Sequence, residues 1–210
     1  MGLKDQQRTL AKLFTLDSAR SDFLSDNEVL KEYAVSIKDS DLTKDQFSMQ
    51  IYEFADSLIK KRLGQVRQHI PGTCYIVKTK LAEMFQEYAK DEPTSGIKRH
   101  LYDSLMFMKY LELNYPEFLI SNIYKSIFKF EKIRLKAILA NRFLYIKIFP
   151  FEVSMALEKL KLYDQKSNVS LGSPRICFWI KASADKDVVY RELYPRFWPV
   201  MLTKELRYNN

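Results

Sequence analysis

Only two cysteines and two histidines occur in the 210 residues. This scarcity argues against a metal cage built from protein side chains alone, which needs several Cys, His or carboxylate ligands at short spacings. Cys74 and Cys177 are far apart in sequence and read as reduced, buried, small apolar residues. Glycine, at five, is too sparse for most loops that cradle phosphates. The sequence has no P-loop, dinucleotide fingerprint, nucleophile elbow or His-Glu-x-x-His segment. The modest proline count of seven, with so little glycine, excludes collagen-like and low-complexity chains. No run of about 18 apolar residues is available to span a membrane. The start, Met1-Gly2-Leu3-Lys4-Asp5-Gln6, lacks the apolar stretch of a secretory signal, and Gln6 stands where myristoylation favours Ser or Thr. The expectation is a cytoplasmic protein with no cofactor and no metal, and not an enzyme by itself.

Aromatic residues, by contrast, are plentiful: 14 Phe, 13 Tyr and 2 Trp, within a chain that is 47% hydrophobic and 29% charged. That balance is globular and can bury a real core. The net charge of +8 is unevenly spread. Residues 1–58 hold 7 basic and 11 acidic side chains, a net of −4, and residues 59–210 hold 27 basic and 15 acidic, a net of +12. Such asymmetry speaks of partners: nucleic acid, an acidic peptide or an acidic protein surface would suit it, and so would a merely lysine-rich solvated surface.

Periodicity predicts helices first and strands later. Leu10, Leu13 and Phe14 form a short amphipathic stripe that Asp17 and Ser18 break. Ser25 with Glu28, and Thr43 with Gln46, are capping-box patterns. The first opens a helix through about Val35. The second opens a long one carrying Phe47, Ile51, Phe54, Leu58, Leu63 and Val66, ended by Pro71-Gly72. Further helices are expected over Thr73–Lys90, Lys98–Leu111 and Pro116–Leu139, the last apolar around much of its circumference and therefore central. Arg142–Phe149, Arg175–Ala182 and Val188–Tyr194 are β-branched and aromatic and read as strands, the last two as a hairpin. Phe151–Leu160 reads as a short helix and the end after Pro195 as an irregular tail. The fold class is α+β: a mostly α-helical N-terminal body over 1–140, and over 141–210 a small C-terminal module of about three antiparallel strands and one helix.

The candidate binding residues are mostly basic, with Asp103 and Trp179 counted among them. Lys98, Arg99 and His100 open a predicted helix, where the dipole prefers acids, so a partner carboxylate or phosphate would relieve them. A local pairing of Arg99 with Asp103, four residues on, is the plainer account. Lys61 and Arg62 fall in a second cluster, on the later turns of the long helix, where cations suit the dipole. A small sheet must leave edges able to accept an added strand. The charges on its first two strands, Arg142, Lys147, Arg175 and Lys181, are all basic and would tolerate an acidic peptide. Trp179 joins Lys147, Arg175 and Lys181 as a candidate peptide contact. His69 reads as a helix C-terminal residue.

Several segments carry a family resemblance. Leu10-Ala11-Lys12-Leu13-Phe14 through Asp22-Phe23-Leu24-Ser25-Asp26 resembles the opening of a bacterial family of uncharacterised proteins. The likeness continues in Phe54-Ala55-Asp56-Ser57-Leu58-Ile59-Lys60-Lys61-Arg62, in Ile97-Lys98-Arg99-His100-Leu101-Tyr102-Asp103, in Ile146-Lys147-Ile148-Phe149-Pro150 and in Ile176-Cys177-Phe178-Trp179-Ile180. It covers most of the chain and departs at Tyr102, where an acidic or small residue is expected. The family looks like a companion of multinuclear non-heme iron-dependent oxidases that modify ribosomally made peptides, similar to HvfC-type partner proteins. The resemblance implies a heterodimer in which the oxidase holds the iron and this chain binds the precursor peptide and delivers it. The alternative is a nucleic-acid-binding regulator, favoured by pI ≈ 9.3. No outward recognition helix rich in Arg, Lys, Asn or Gln is evident to support it.

Overall fold

The computed structural model describes residues 3–26, 44–90, 92–93, 98–165, 171–194 and 206–208. The chain divides into two compact units, residues 1–65 with 79–96 and residues 66–78 with 97–210.

In the first unit, α1 (Leu3–Thr15) carries Asp5 in its first turn and Lys12 in its last, both favourable to the helix dipole. It packs on α2 (Asp17–Ser25) and on the long α3 (Lys44–His69), whose residues up to Gln65 belong here. Leu13, Phe23 and Ile51 form the core, joined by Leu10, Phe14, Leu24 and Phe47. Arg20 is buried and partly satisfied: one Nη donates to the Leu13 carbonyl (2.8 Å), the other to Asp17 Oδ1 (2.7 Å), and the guanidinium lies over the Tyr52 ring. Asp17 therefore begins a helix rather than ending one. Ser25 closes that helix, donating to the Asp22 carbonyl, and residues 28–35 lie outside the described residues.

One helix was expected over Thr73–Lys90. The structure has three pieces: α4 (Pro71–Val77), a 3-10 turn (Lys78–Lys80) and α5 (Leu81–Ala89). Lys78 takes the left-handed region (φ 51°) and donates its N–H to the Cys74 carbonyl. Ile76 packs in the second unit's core and residues 66–78 cluster with that unit, whereas residues 79–96 cluster with the first. An unbroken helix would have to serve both. Pro71-Gly72 likewise starts α4 instead of merely ending α3, since proline suits the first helical position.

The second unit holds the rest. It comprises α4, α6 (Arg99–Asn114), a 3-10 turn (Pro116–Leu119), α7 (Asn122–Leu139), β1 (Phe143–Phe149), α8 (Val153–Gln165), β2 (Arg175–Lys181), β3 (Val188–Leu193) and β4 (Leu206–Tyr208). The helix expected from Pro116 starts only at Asn122, where Ser121 Oγ accepts the Ile123 N–H. The α+β class holds, and the sheet has four antiparallel strands in the order β1-β2-β3-β4, the short β4 coming from the expected irregular tail. The boundary drawn at 140/141 runs through this unit, because α7 packs against β1, β2 and α8.

The centre of the unit is aromatic. The Phe130 ring of α7 meets Phe149, Trp179 and Tyr190 edge-on at 6.1, 5.5 and 5.4 Å. Beside it α4 approaches α7 closely. Glu131, wholly buried, accepts from the Gly72 N–H (2.8 Å), the Thr73 N–H (2.8 Å) and the Thr73 hydroxyl (2.7 Å), so a side chain of α7 caps the first turn of α4. Burial pushes the Glu131 carboxyl up, opposed by those three hydrogen bonds and by Arg134.

Candidate interaction surface

Strand register sorts the sheet residues into two faces. The inner face carries Tyr145, Trp179 and Tyr190 in one cross-strand row and Lys147, Cys177 and Glu192 in the next. Arg175 and Lys181 flank them on β2 and are buried. Arg175 Nη2 pairs with Glu152 (2.7 Å) and its guanidinium lies 3.6 Å from the Tyr194 ring centroid. Lys181 Nζ donates to the Ile138 carbonyl (2.7 Å). The Tyr190 hydroxyl donates to the Glu192 carboxylate and lies 3.2 Å from Cys177 Sγ, within hydrogen-bond reach. Burial, the neighbouring Cys177 and Glu192, and both hydrogen bonds raise the Tyr190 phenol far above its ordinary value, so it stays a donor.

The outer face is different. Its rows read Leu144–Ile180–Val189, Ile146–Phe178–Arg191 and Ile148–Ile176–Leu193. Eight of these nine side chains are apolar, although no helix of the kind that covers the inner face is needed to explain their order. Leu144, Ile146, Ile148 and Ile180 are 69%, 55%, 65% and 43% exposed, and Ile176, Phe178, Val189 and Leu193 are half-buried. Antiparallel sheets with one face in solvent normally alternate apolar with polar. This one does not. The row of greatest exposure lies on β1, an edge of the sheet among the described strands. Its main-chain groups on the side away from β2 have no strand partner there. An exposed, apolar, seven-residue edge strand is what most proteins avoid or use for binding.

The residues singled out from sequence do not converge. Trp179 is wholly buried, and Arg175 and Lys181 are structural cations of the inner face, so these three are corrected from peptide contacts to core. β2, paired on both sides, cannot take an added strand. Lys147 stays half-buried on the edge strand. Lys98 and His100 are half-buried and Arg99 is exposed, at the first residues of α6, while Asp103 is buried. The His100 ring stacks on His69 (5.0 Å between centroids, 15° between planes). Burial lowers the His69 pKa, helped by the charges of His100 and Arg134. In the first unit, Lys61 is exposed, and half-buried Arg62 donates to the Glu92 carbonyl (2.9 Å) and lies over the Phe85 ring. Sequence reasoning missed the aliphatic row of β1. The sequence shows only the absence of any polar residue at positions 144, 146, 148, 176, 178 and 180, and alternation alone would turn that set inward, away from Lys147, Arg175 and Lys181.

Among the described residues, no three His, Cys, Asp or Glu side chains gather as a metal ion would require, and no helix is long and apolar enough to cross a membrane. Neither cysteine is poised to react: both are buried, and burial pushes each thiol up to about 12. A disulfide-exchange reagent at pH 8 should leave native protein unlabelled over the minutes in which denatured protein takes up about two equivalents. Rapid native labelling of either cysteine would contradict the packing around Cys74 and Cys177.

Comparisons of the chain with family models, with curated proteins and with solved structures gave no match. The functional reading therefore stands on the chemistry of the surface.

Proposed function

We propose that this chain is a non-catalytic binding module that takes up an extended peptide along β1. One observation carries the reading: an apolar outer sheet face whose most exposed row runs along an edge unpaired among the described strands. An added strand would satisfy the free main-chain N–H and C=O groups of β1 and cover Leu144, Ile146 and Ile148 with its own side chains. Main-chain hydrogen bonds supply affinity in such complexes, and the alternate side chains supply choice. The family resemblance gives the peptide a source, a ribosomally made precursor, and gives the module a partner, a multinuclear iron-dependent oxidase in a heterodimer. In that assembly the reacting metal belongs to the oxidase and this chain holds and presents the substrate.

Hydrogen exchange tests the peptide half. A soluble peptide alternating valine and threonine, at saturating concentration, should slow amide exchange over residues 143–149. Protection confined to helices before residue 140 would place binding elsewhere and refute the edge. The oxidase half is tested at the gene neighbourhood: an iron oxidase encoded beside this chain, coexpressed with it, should co-elute as a one-to-one complex. A neighbourhood with no oxidase gene would remove that half and leave the peptide half standing.

A further inference from the structure

The edge strand also specifies what kind of peptide it prefers. The sequence around β1, residues 141–150, contains two charged side chains, Arg142 and Lys147, and no acid. Lys147 is half-buried on the inner face and Arg142 exposed just before the strand. Neither makes a hydrogen bond or ion pair with any described residue. The other cations of the inner face are occupied: Arg175 by Glu152 and Lys181 by the Ile138 carbonyl. Among the described residues Lys147 thus has no counter-charge, and it is held at half exposure in a strand at the edge of the sheet. Directly across from it on β2 is Cys177, which offers no counter-charge because its thiol is held neutral.

Side chains alternate between faces along a strand. A strand added at β1 would set every second side chain beside Leu144, Ile146 and Ile148. The intervening ones would lie beside Phe143, Tyr145 and Lys147. Directly opposed cross-strand side chains are within about 5.5 Å, close enough for a carboxylate to meet the Lys147 ammonium. From this alternation we infer that β1 selects extended segments in which aliphatic residues alternate with acidic ones, with Lys147 choosing the acid. The inference rests on the edge-strand reading above and narrows it to a substrate class. Basic or neutral alternating segments would fill the aliphatic row equally well but leave Lys147 repelled or unpaired.

The experiment uses two soluble peptides, one alternating valine with glutamate and one alternating valine with lysine. Binding to the full chain is measured by titration at low salt, with hydrogen exchange over 143–149 reporting the place. The glutamate peptide should bind up to about fivefold more tightly, in keeping with one opposed ion pair on a sheet. Lys147→Glu should reverse the order, and Lys147→Gln, which removes the charge and keeps a hydrogen-bonding end, should abolish it. Equal binding of the two peptides at β1, or an order that Lys147→Glu leaves unchanged, overturns the inference while the edge remains a binding site. Failure of both peptides to protect 143–149 overturns the site and the inference together. If Lys147→Gln instead makes the protein self-associate and the peptides compete equally, Lys147 guards the edge against a second copy and selects nothing.

Discussion

Replacing Glu131 by alanine should unfold the second unit under mild conditions, lowering stability by about 4 kcal/mol and the melting temperature by about 10 °C. The carboxylate serves three donors at once, the Gly72 and Thr73 N–H groups and the Thr73 hydroxyl, in a place without water-exposed surface. Truncation leaves those donors facing a void. A buried donor with no acceptor costs about 1–3 kcal/mol, and the hydroxyl alone can rotate to another acceptor. The cavity adds its own term. Gly72→Ala should approach the same result from the opposite side. A Cβ there would lie 2.4 Å from Leu157 Cδ2 and 2.5 Å from Ile127 Cγ2, with Glu131 Oε1 at 3.1 Å. These contacts force α4 away from α7, and overpacking of this kind costs about 1–3 kcal/mol or more. Paired denaturation curves decide the matter. A Glu131→Ala protein within 1 kcal/mol of wild type, on the scale of those estimates, would show that the α4–α7 contact contributes little.

The same junction gives a pH signature. Because the folded-state carboxyl of Glu131 is raised above its ordinary value of 4.5, its favourable contribution is complete below that value and is lost as pH rises through the raised one. Glu131→Gln, which cannot ionise, should flatten that part of the stability profile.

Trp179→Ala is expected to destabilise the protein by about 3–5 kcal/mol, and to weaken peptide binding only as far as it unfolds the sheet. The indole is wholly buried, packed against Phe130, Phe149, Tyr145 and Tyr190 with centroids 5.1 to 6.3 Å away. Ile146→Ser should behave in the opposite way. More than half of that side chain is already in water, so its removal should change stability by less than about 1 kcal/mol. It should nonetheless weaken peptide binding, because it opens the middle of the aliphatic row. The two variants separate core from surface on a single face-to-face comparison. A Trp179→Ala protein of native stability that no longer bound peptide would return the indole to the binding surface, and Ile146→Ser with full affinity would remove the outer face from it.

Much of this architecture was legible because helices and strands repeat on short periods. Apolar spacing in 47–66 and 122–139, and the β-branched runs 143–149, 175–181 and 188–193, depend on local stereochemistry and on residues near in sequence. The α+β class followed from those same periodicities. Three things depended on residues far apart. The break at Lys78 falls where the chain passes from the second unit to the first, a division no local pattern records. The cap of α4 by Glu131 joins positions 59 residues apart, and the sequence shows only a glutamate in an apolar helix. Alternation misled on the faces of the sheet, because the parity that carries Lys147, Arg175 and Lys181 packs inward and the wholly apolar one faces out. Register alone turned Trp179, Arg175 and Lys181 inward and left Leu144, Ile146 and Ile148 outside, since a shift of one residue would exchange the two sets.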